Sequence, residues 1–322
     1  MNQVSKVECI QASMCEMTGK KIFTLVCEYP RSIHSQLLTH AVFSKNSSST
    51  RAIPIAKAIA QMNAKPAQFI FTHKQSGMQG EVIDTSSELF AIAQTAHTVG
   101  MRQAMSLSTY MDEIGVHKQN AGRYLEPFQD IRIVLTSTEW ENWDWLRMDG
   151  AAQGEIQDLA NAMYQAREEA DVMHLSEGEW HVPFVIRESN LAGVLEYFTP
   201  DENGKLMQLS PDEAVNVSMS ACAQTSYRKL NTTLEKSEDI LPKLFSGKKI
   251  HASPSEHQAT PIPIIEKLAD LSLLPKGVTH VDRYGCPWSG NFQHWIQNRQ
   301  LIKGHDAAIT AKEEAICDDI AF

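Results

Sequence analysis

Hydrophobic and polar positions divide the chain into short strands and longer helices. Near the start, the strand-like runs KVECIQA and KIFTLVCEY flank the turn sequence MTGKK, and such a pair predicts a β-hairpin. From Arg31 onward, apolar residues recur every three or four positions, at Ile33, Leu37, Leu38, Ala41 and Val42. This period predicts a helix, on which Gln36 and His40 share one face because they are four residues apart.

The later segments continue this alternation of helix and strand. Residues 84–116 have the period of a long helix, and IRIVLTS, which follows the irregular segment HKQNAGRYLEPF, has the composition of a strand. Capping patterns mark two helix starts: Thr138 with Glu141 three residues on, and SPDE beginning at Ser210. The order of the elements predicts an α+β fold, a helix-rich domain with a small central antiparallel or mixed sheet.

Composition is ordinary for a globular protein with its own core. The chain has 322 residues, 43% of them hydrophobic and 21% charged, and its formal net charge is −10. This charge argues against an extended nucleic-acid-binding surface, although two or three local arginines suffice for a small phosphate ligand. We find no run of membrane-spanning length and no signal-peptide pattern, so we expect a cytoplasmic protein with no membrane partner, in the host cytoplasm if a phage encodes it. We expect one domain over residues 1–302 and a polar tail over residues 303–322.

The six cysteines and the histidines give no sign of a metal site. No CxxC pair occurs, and His251 and His257 in HASPSEHQATP lack the helical register of an HExxH zinc motif. Cys286 lies between turn residues in YGCPWSG with no base or cation beside it in sequence, so a nucleophilic role is not indicated. We therefore expect reduced, structural cysteines and no bound metal.

The segment THAVFSKNSSSTRA, residues 39–52, combines short hydroxyl side chains with an arginine near its end. Serine and threonine hydroxyls are common neutral ligands of a phosphate, and Arg51 would add a bidentate charged contact. A solvated serine-rich loop has the same composition and is the more frequent outcome. Composition alone leaves both interpretations open.

The segment NWDWLR places Arg147 among tryptophans. Beside Trp140, Trp143 and Trp145 the arginine would be partly desolvated, which strengthens its interaction with an anion or a carbonyl group. The alternative is a helix whose tryptophans form core while the arginine reaches water. The segment alone favours that alternative.

Taken together, three segments resemble the flavin-dependent thymidylate synthases (the ThyX family). That family's signature is R-H-R-x-x-S-x-N-E-x-S-x-R, and THAVFSKNSSSTR aligns with it at His40, Ser44, Asn46, Ser49 and Arg51. A second family pattern, N-x-x-x-L-R followed by A-Q-x-E-I, matches NWDWLR and AQGEI, and a third, S-P-x-E-H, matches SPSEH. The resemblance extends over about residues 20–300. Because SPSEH follows the signature here but precedes it in the common bacterial order, the resemblance implies a circularly permuted, phage-type member.

The resemblance implies methylation of dUMP at uracil C5 to give dTMP. Methylenetetrahydrofolate would supply the carbon, reduced FAD the hydride, and NADPH the electrons that re-reduce the flavin, in a homotetramer with shared active sites. Arg147, which would polarise the uracil ring, and Ser49 are the implied catalytic residues. The implied nucleotide-binding residues are Gln36, Ser47, Ser48, Ser49, Thr50, Arg51, Arg123 and Arg147. The implied FAD contacts are Thr39, His40, Ala41, Asn46, Thr136, Thr138, Asn142 and His257.

The chain departs from the family pattern at charged positions. Thr39 and Ala41 replace the first two signature arginines, Ser47 replaces the signature glutamate, and Gln224 stands where a related segment often has arginine. Each lost arginine removes a charge-assisted hydrogen bond worth about 1.5–3 kcal/mol where it is buried and ligand-facing. Two alternatives therefore stay open. One is an enzyme that modifies another pyrimidine deoxynucleotide, for example dCMP or by hydroxymethylation, and the other is a non-catalytic nucleotide- or flavin-binding protein.

Overall fold

A computed structural model describes residues 4–76, 80–225, 229–245, 250–263, 265 and 274–305 of the chain. Its central sheet has five strands in the order β3-β4-β2-β1-β5. These strands are β1 (Lys6–Cys15), β2 (Lys21–Pro30), β3 (Ser44–Ser47), β4 (Asp130–Ser137) and β5 (Val172–Leu175). β5 pairs with β1 in parallel and the other neighbours are antiparallel. The predicted hairpin and the predicted small mixed sheet are confirmed.

Helices and three smaller sheets surround the central sheet in the described ranges. The helices are α1 (His34–Leu38), α2 (Ile55–Ala64), α3 (Glu88–Glu113), α4 (Lys118–Ala121), α5 (Glu141–Arg147), α6 (Gly154–Glu168), α7 (Pro211–Ala223) and α8 (Leu234–Phe245). The remaining strands are β6 (Ile186–Ser189), β7 (Leu195–Pro200), β8 (Leu206–Leu209), β9 (Ala259–Pro261), β10 (His280–Val281), β11 (Pro287–Ser289), β12 (Phe292–Gln293) and β13 (Trp295–Gln297). This mixture of elements confirms the predicted α+β class.

The largest hydrophobic core lies between the central sheet and helices α5 and α6. Ile156, Leu159, Ala160 and Met163 of α6 are buried at helical spacing and belong to the same cluster as Leu25 of β2. An apolar stripe of this period gives a helix one face to bury against a sheet. The packing holds α5 and α6 against the sheet, and α5 carries Arg147 at its last position.

The helix predicted from Arg31 to Val42 is shorter in the structure. A 3₁₀ turn at Arg31–Ile33 leads into α1, which ends at Leu38. The chain leaves the helix because Ser44–Ser47 pairs with β4 as the edge strand β3. His40 therefore lies beyond the helix, and its predicted place on one helical face with Gln36 is wrong.

Two other local predictions had different outcomes. The capping box at Ser210 is confirmed, because its hydroxyl accepts from the backbone N–H of Glu213 and the Glu213 carboxylate accepts from the Ser210 backbone. The capping role of Thr138 is wrong, because α5 begins at Glu141 with Trp140 as its N-cap. The Thr138 hydroxyl instead accepts from the backbone N–H of Gln293 at 3.0 Å.

Several boundaries differ from the sequence-based expectation or fall outside the described residues. The segment HKQNAGRYLEPF is helical rather than irregular, with α4 followed by a 3₁₀ helix at Gly122–Phe128. No described helix is both long and apolar enough to cross a membrane. Residues 306–322 of the predicted tail lie outside the described residues. The boundary at residue 302 and the circular permutation stay predictions.

Candidate functional site

Arginine and hydroxyl side chains from four parts of the chain line one open cleft of about 550 Å³. Arg31 follows β2, the serines end β3, Arg51 lies in the 3₁₀ turn Thr50–Ala52, and Arg123 lies in the 3₁₀ helix after α4. The lining residues are Arg31, Ser47, Ser48, Ser49, Thr50, Arg51, Gln119, Arg123 and Glu126. We call this the arginine cleft. It brings together six of the residues predicted to bind the nucleotide, Ser47 through Arg51 and Arg123.

Positive charge dominates the arginine cleft. Its three guanidinium groups face one lining carboxylate, Glu126, which already accepts a hydrogen bond of 2.8 Å from the Thr50 hydroxyl. Arg51 and Arg123 are exposed, and neither forms an ion pair with a described residue. An excess of guanidinium groups beside hydroxyls suits a phosphate, which accepts bidentate hydrogen bonds from arginine.

Arg31 is partly buried at the edge of the arginine cleft. Burial lowers the pKa of Arg31, and the nearby Glu126 carboxylate opposes that shift. The Arg31 Nε atom is buried and has no hydrogen-bond partner among the described residues. A buried donor without a partner costs about 1–3 kcal/mol. Arg31 therefore contributes positive charge beside the cleft, whereas its buried Nε is not accessible to a ligand in it.

Sheet pairing, rather than a free loop, places the serines. β3 lies antiparallel to β4, and the Ser48 backbone N–H extends the ladder to the Arg132 carbonyl at 2.8 Å. The Ser48 hydroxyl accepts from the Arg132 backbone N–H at 3.2 Å, which leaves its own proton for another acceptor. The serine-rich segment is thus an edge strand and a turn, and the interpretation as a solvated loop is wrong for Ser44–Ser47.

A second group forms around Arg147 at the end of α5. Its Nε donates to His40 Nε2 at 3.2 Å, and one terminal nitrogen donates to the Thr39 hydroxyl at 3.3 Å. His40 is 8% exposed, and its ring meets the edge of Trp143 with centroids 4.8 Å apart. Burial, and then the positive charges of Arg147 and Lys45, lower the pKa of His40. The imidazole is therefore neutral, with Nε2 as acceptor, and it orients the guanidinium.

A partly buried ion pair anchors the helix that carries Arg147. Arg167 of α6 donates to both carboxylate oxygens of Asp144, at 2.6 and 2.8 Å, and its guanidinium lies 4.2 Å from the Trp140 ring centroid. Trp140 and Trp143 are buried, whereas Trp145 is 75% exposed. Both interpretations of NWDWLR hold in part, because two tryptophans form core while Arg147 is partly buried beside them.

Gln36 is already engaged within the chain. Its side-chain N–H donates to Gln153 at 2.6 Å, and Gln153 donates to Glu155 at 3.0 Å. Glu155 is 4% exposed and also accepts from the Ile70 backbone at 2.9 Å. Gln153 and Glu155 come from a segment that carries the family resemblance, and Gln36 lies three residues before another. In this structure they bind one another.

The residues predicted to contact FAD fall into separate sets. Thr39, Ala41 and Asn142 are exposed, whereas Asn46 donates weakly to the Cys222 carbonyl at 3.4 Å. Of the remaining four, His40 accepts from Arg147, and Thr136, Thr138 and His257 are 0%, 3% and 0% exposed. Their polar groups hydrogen-bond inside the protein, as for the Thr136 hydroxyl and His257 Nδ1 at 2.8 Å. The buried set does not reach a surface that FAD could contact in one chain, so the described residues fit FAD only in part.

The lining of the arginine cleft does not include Gln36 or Arg147, which were also predicted to bind the nucleotide. No hydrogen bond or ion pair between described residues joins the arginine cleft to the group of Arg147, His40 and Thr39. Sequence reasoning missed Arg31, whose only signal was its position directly after the strand that became β2. It also missed Arg167, because an α6 residue gives no sequence sign that it pairs with α5.

Comparisons with known proteins add little to this geometry. No family model matches the chain, and no curated protein matches it. Among solved structures, the chain is similar to the UMP/dUMP methylase PolB from Streptomyces cacaoi, bound with 5-Br UMP. The two share 16% sequence identity and a TM-score of 0.41, over 51% of this chain and 89% of that chain. A likeness of this size assigns neither a fold nor an activity to this protein.

Proposed function

We propose that the protein is an enzyme that binds a pyrimidine nucleotide by its phosphate in the arginine cleft. The proposed reaction is the flavin-dependent methylation of dUMP to dTMP, with methylenetetrahydrofolate as carbon donor and NADPH as reductant of FAD. The observation that supports nucleotide binding is the arginine cleft, which Arg31, Arg51 and Arg123 line together with serine hydroxyls. The family resemblance of the sequence supports the methylation and its cofactors.

The arginine cleft suits a terminal phosphate monoester. Such a group carries close to two negative charges at neutral pH and presents three acceptor oxygens. Arg51 and Arg123 supply fork-shaped donors from the rim, and Ser48 has a hydroxyl proton to donate. Arg31 supplies a partly buried guanidinium charge at the edge, where an ionic interaction is stronger than in bulk water.

Arg147 is the proposed electrophilic residue. His40 Nε2 and the Thr39 hydroxyl hold two of its nitrogens, while the third has no partner among the described residues. A guanidinium held in place in this way can stabilise negative charge that develops on the uracil amide during attack at C5, without reorganising. Thr39 replaces a signature arginine and serves here to orient Arg147. Ser49, which lines the arginine cleft, is the second proposed catalytic residue.

FAD would supply the hydride when it is bound. Its proposed contacts on this chain are the exposed residues near Arg147, namely Thr39, Ala41 and Asn142. We place the complete site between copies in a homotetramer, as the resemblance implies. We propose no cofactor contact for Thr136, Thr138 and His257, because these three side chains are buried and hydrogen-bond inside the protein.

Mass spectrometry of products tests the reaction. The purified protein would be incubated with FAD, NADPH, methylenetetrahydrofolate and an equimolar mixture of dUMP and dCMP. The expected result is conversion of dUMP to dTMP with dCMP unchanged. Modified dCMP would indicate an enzyme that acts on another pyrimidine deoxynucleotide. A hydroxymethylated product would indicate a hydroxymethylation in place of the methylation. Nucleotide binding without any product would indicate a non-catalytic binding protein.

A further inference from the structure

A chain of hydrogen bonds crosses the face of the central sheet in the protein interior. Three neighbouring strands each contribute a hydroxyl to the same face: Ser13 from β1, Thr24 from β2 and Thr136 from β4. Thr24 and Thr136 lie directly opposite each other in the β2–β4 register, and such neighbours have side chains within contact distance. His181 and His257 lie against this face, and all five residues are 0% exposed.

The links of this chain are short and consecutive. Arg187 donates from a terminal nitrogen to the Ser13 hydroxyl at 2.7 Å, and Ser13 lies 2.8 Å from His181 Nδ1. His181 Nε2 is 2.8 Å from the Thr24 hydroxyl, which is 2.8 Å from the Thr136 hydroxyl. The last link joins Thr136 to His257 Nδ1 at 2.8 Å. Each distance is that of a good hydrogen bond.

Arg187 sets the donor-to-acceptor direction of this series of hydrogen bonds, because a guanidinium group has donors and no acceptor. Ser13 Oγ must accept from Arg187, and its proton is then free for His181 Nδ1. His181 in turn donates from Nε2 to Thr24, Thr24 donates to Thr136, and Thr136 donates to His257 Nδ1. In this direction every hydroxyl both accepts and donates.

The opposite direction leaves one more group unsatisfied. If His181 Nδ1 carried the proton, Ser13 would accept twice, and its own buried proton would have no acceptor among the described residues. The N–H dipole of His181 would also point towards the Arg187 cation. Burial lowers the pKa of Arg187 to about 10, so the group remains charged at neutral pH. Its charge therefore favours hydroxyl and imidazole dipoles that point away from it, and aligned bonds reinforce one another.

We propose that Arg187 acts through Ser13, His181, Thr24 and Thr136 to hold His257 in the tautomer that carries its proton on Nε2. His257 is then a dedicated hydrogen-bond donor, and Arg187 and the intervening residues position it. Its Nε2 atom is buried and has no partner among the described residues. Because Nε2 has no free lone pair in this tautomer, His257 neither ligates a metal nor accepts a proton there. This inference holds whichever nucleotide the protein binds.

Nuclear magnetic resonance of the histidine rings tests the tautomer directly in the full chain. The protein would be labelled with ¹⁵N-histidine, and long-range proton–nitrogen spectra would be assigned with His181→Gln and His257→Gln variants. The expected spectrum shows a protonated Nε2 and an unprotonated Nδ1 for both rings at neutral pH. A proton on Nδ1 of His257 would overturn the proposal.

Variants of Arg187 test whether it sets the direction. Arg187→Met removes the cation that orients the dipoles and should give a mixture of the two His257 tautomers, because the opposite direction then costs only the unpaired Ser13 hydroxyl proton. Arg187→Lys keeps a cationic donor and should preserve the single tautomer. If Arg187→Met does not fold, Ser13→Ala removes the hydroxyl that links Arg187 to His181 and should produce the same mixture of tautomers. A single Nε2–H tautomer of His257 in whichever of these two variants folds would overturn the role of Arg187.

Discussion

Arg147 donates a hydrogen bond of 3.2 Å from its Nε to the Nε2 atom of His40. Two residues more than one hundred positions apart are thus joined at the end of α5, on the segments that most resemble the flavin-dependent thymidylate synthases. The bond uses one edge of the guanidinium and leaves another nitrogen for a ligand. Burial of His40 and the adjacent cation lower its pKa, which keeps the imidazole neutral and able to accept this bond.

We expect Arg147→Ala to abolish turnover while the protein still binds FAD and nucleotide phosphate. The variant loses the proposed stabilisation of charge on the pyrimidine but changes no residue of the arginine cleft. Product formation and flavin absorption of the purified protein measure the two properties. Arg102→Ala, on the exposed face of α3, is the matched control and should behave as wild type. Near-wild-type turnover in Arg147→Ala would exclude the polarising role.

We expect Asp144→Asn to lower the free energy of unfolding by about 2–3 kcal/mol. Arg167 is 8% exposed, and the variant leaves its charge without the carboxylate that accepts two hydrogen bonds. Breaking a fully buried pair costs about 3–5 kcal/mol, and partial exposure of Asp144 reduces the cost. Urea unfolding measures the change, with the exposed Asp171→Asn as control. A change below about 0.5 kcal/mol would mean that the pair does not anchor α5.

Local sequence patterns predicted elements whose stability depends on near neighbours in the chain. The hairpin around MTGKK and the capping box at Ser210 formed as predicted, because turn and cap interactions join residues a few positions apart. The helix through Val42 failed because pairing of β3 with β4, some ninety positions away in sequence, outweighed the local apolar period.

Sequence motifs predicted part of the candidate site. They did not predict the residues that strand pairing brings to it. The resemblance placed Ser47 through Arg51 and Arg123 in one site, and the structure brings them to one cleft. Arg31 joins that cleft only because β2 ends beside β4, a contact that no local pattern encodes. Gln224 was expected as a lost ligand, but it is 2% exposed and bonds the Asn231 backbone through both side-chain atoms.

We expect the protein to lose stability as pH falls below about 6.5, the usual pKa of histidine in an unfolded chain. Burial lowers the pKa of His257 to about 3 and also lowers that of His181, so the unfolded chain binds more protons at acid pH. Stability from these rings is complete above pH 6.5 and declines towards the folded pKa, by about 1.4 kcal/mol per pH unit for each ring.

Urea unfolding between pH 7 and pH 5 measures this slope. His257→Gln removes one buried titrating ring and should make the slope shallower, by up to about 1.4 kcal/mol per pH unit at the acid end of this range. His174→Gln, at an exposed histidine of β5, is the matched control. An identical slope in His257→Gln and wild type would show that the ring does not titrate differently in the folded protein.

Calorimetric titration of the protein with dUMP and with deoxyuridine tests directly whether the arginine cleft binds the phosphate of a nucleotide. The two ligands differ only in the phosphate, so they isolate the contribution of the arginine cleft. We expect dUMP to bind at least about tenfold more tightly than deoxyuridine, which corresponds to about 1.4 kcal/mol. Added salt should reduce this difference in affinity. Arg51→Ala and Arg123→Ala should each reduce it, whereas Arg102→Ala should not. Equal affinities for dUMP and deoxyuridine, or an advantage of dUMP that survives both arginine substitutions, would contradict this prediction.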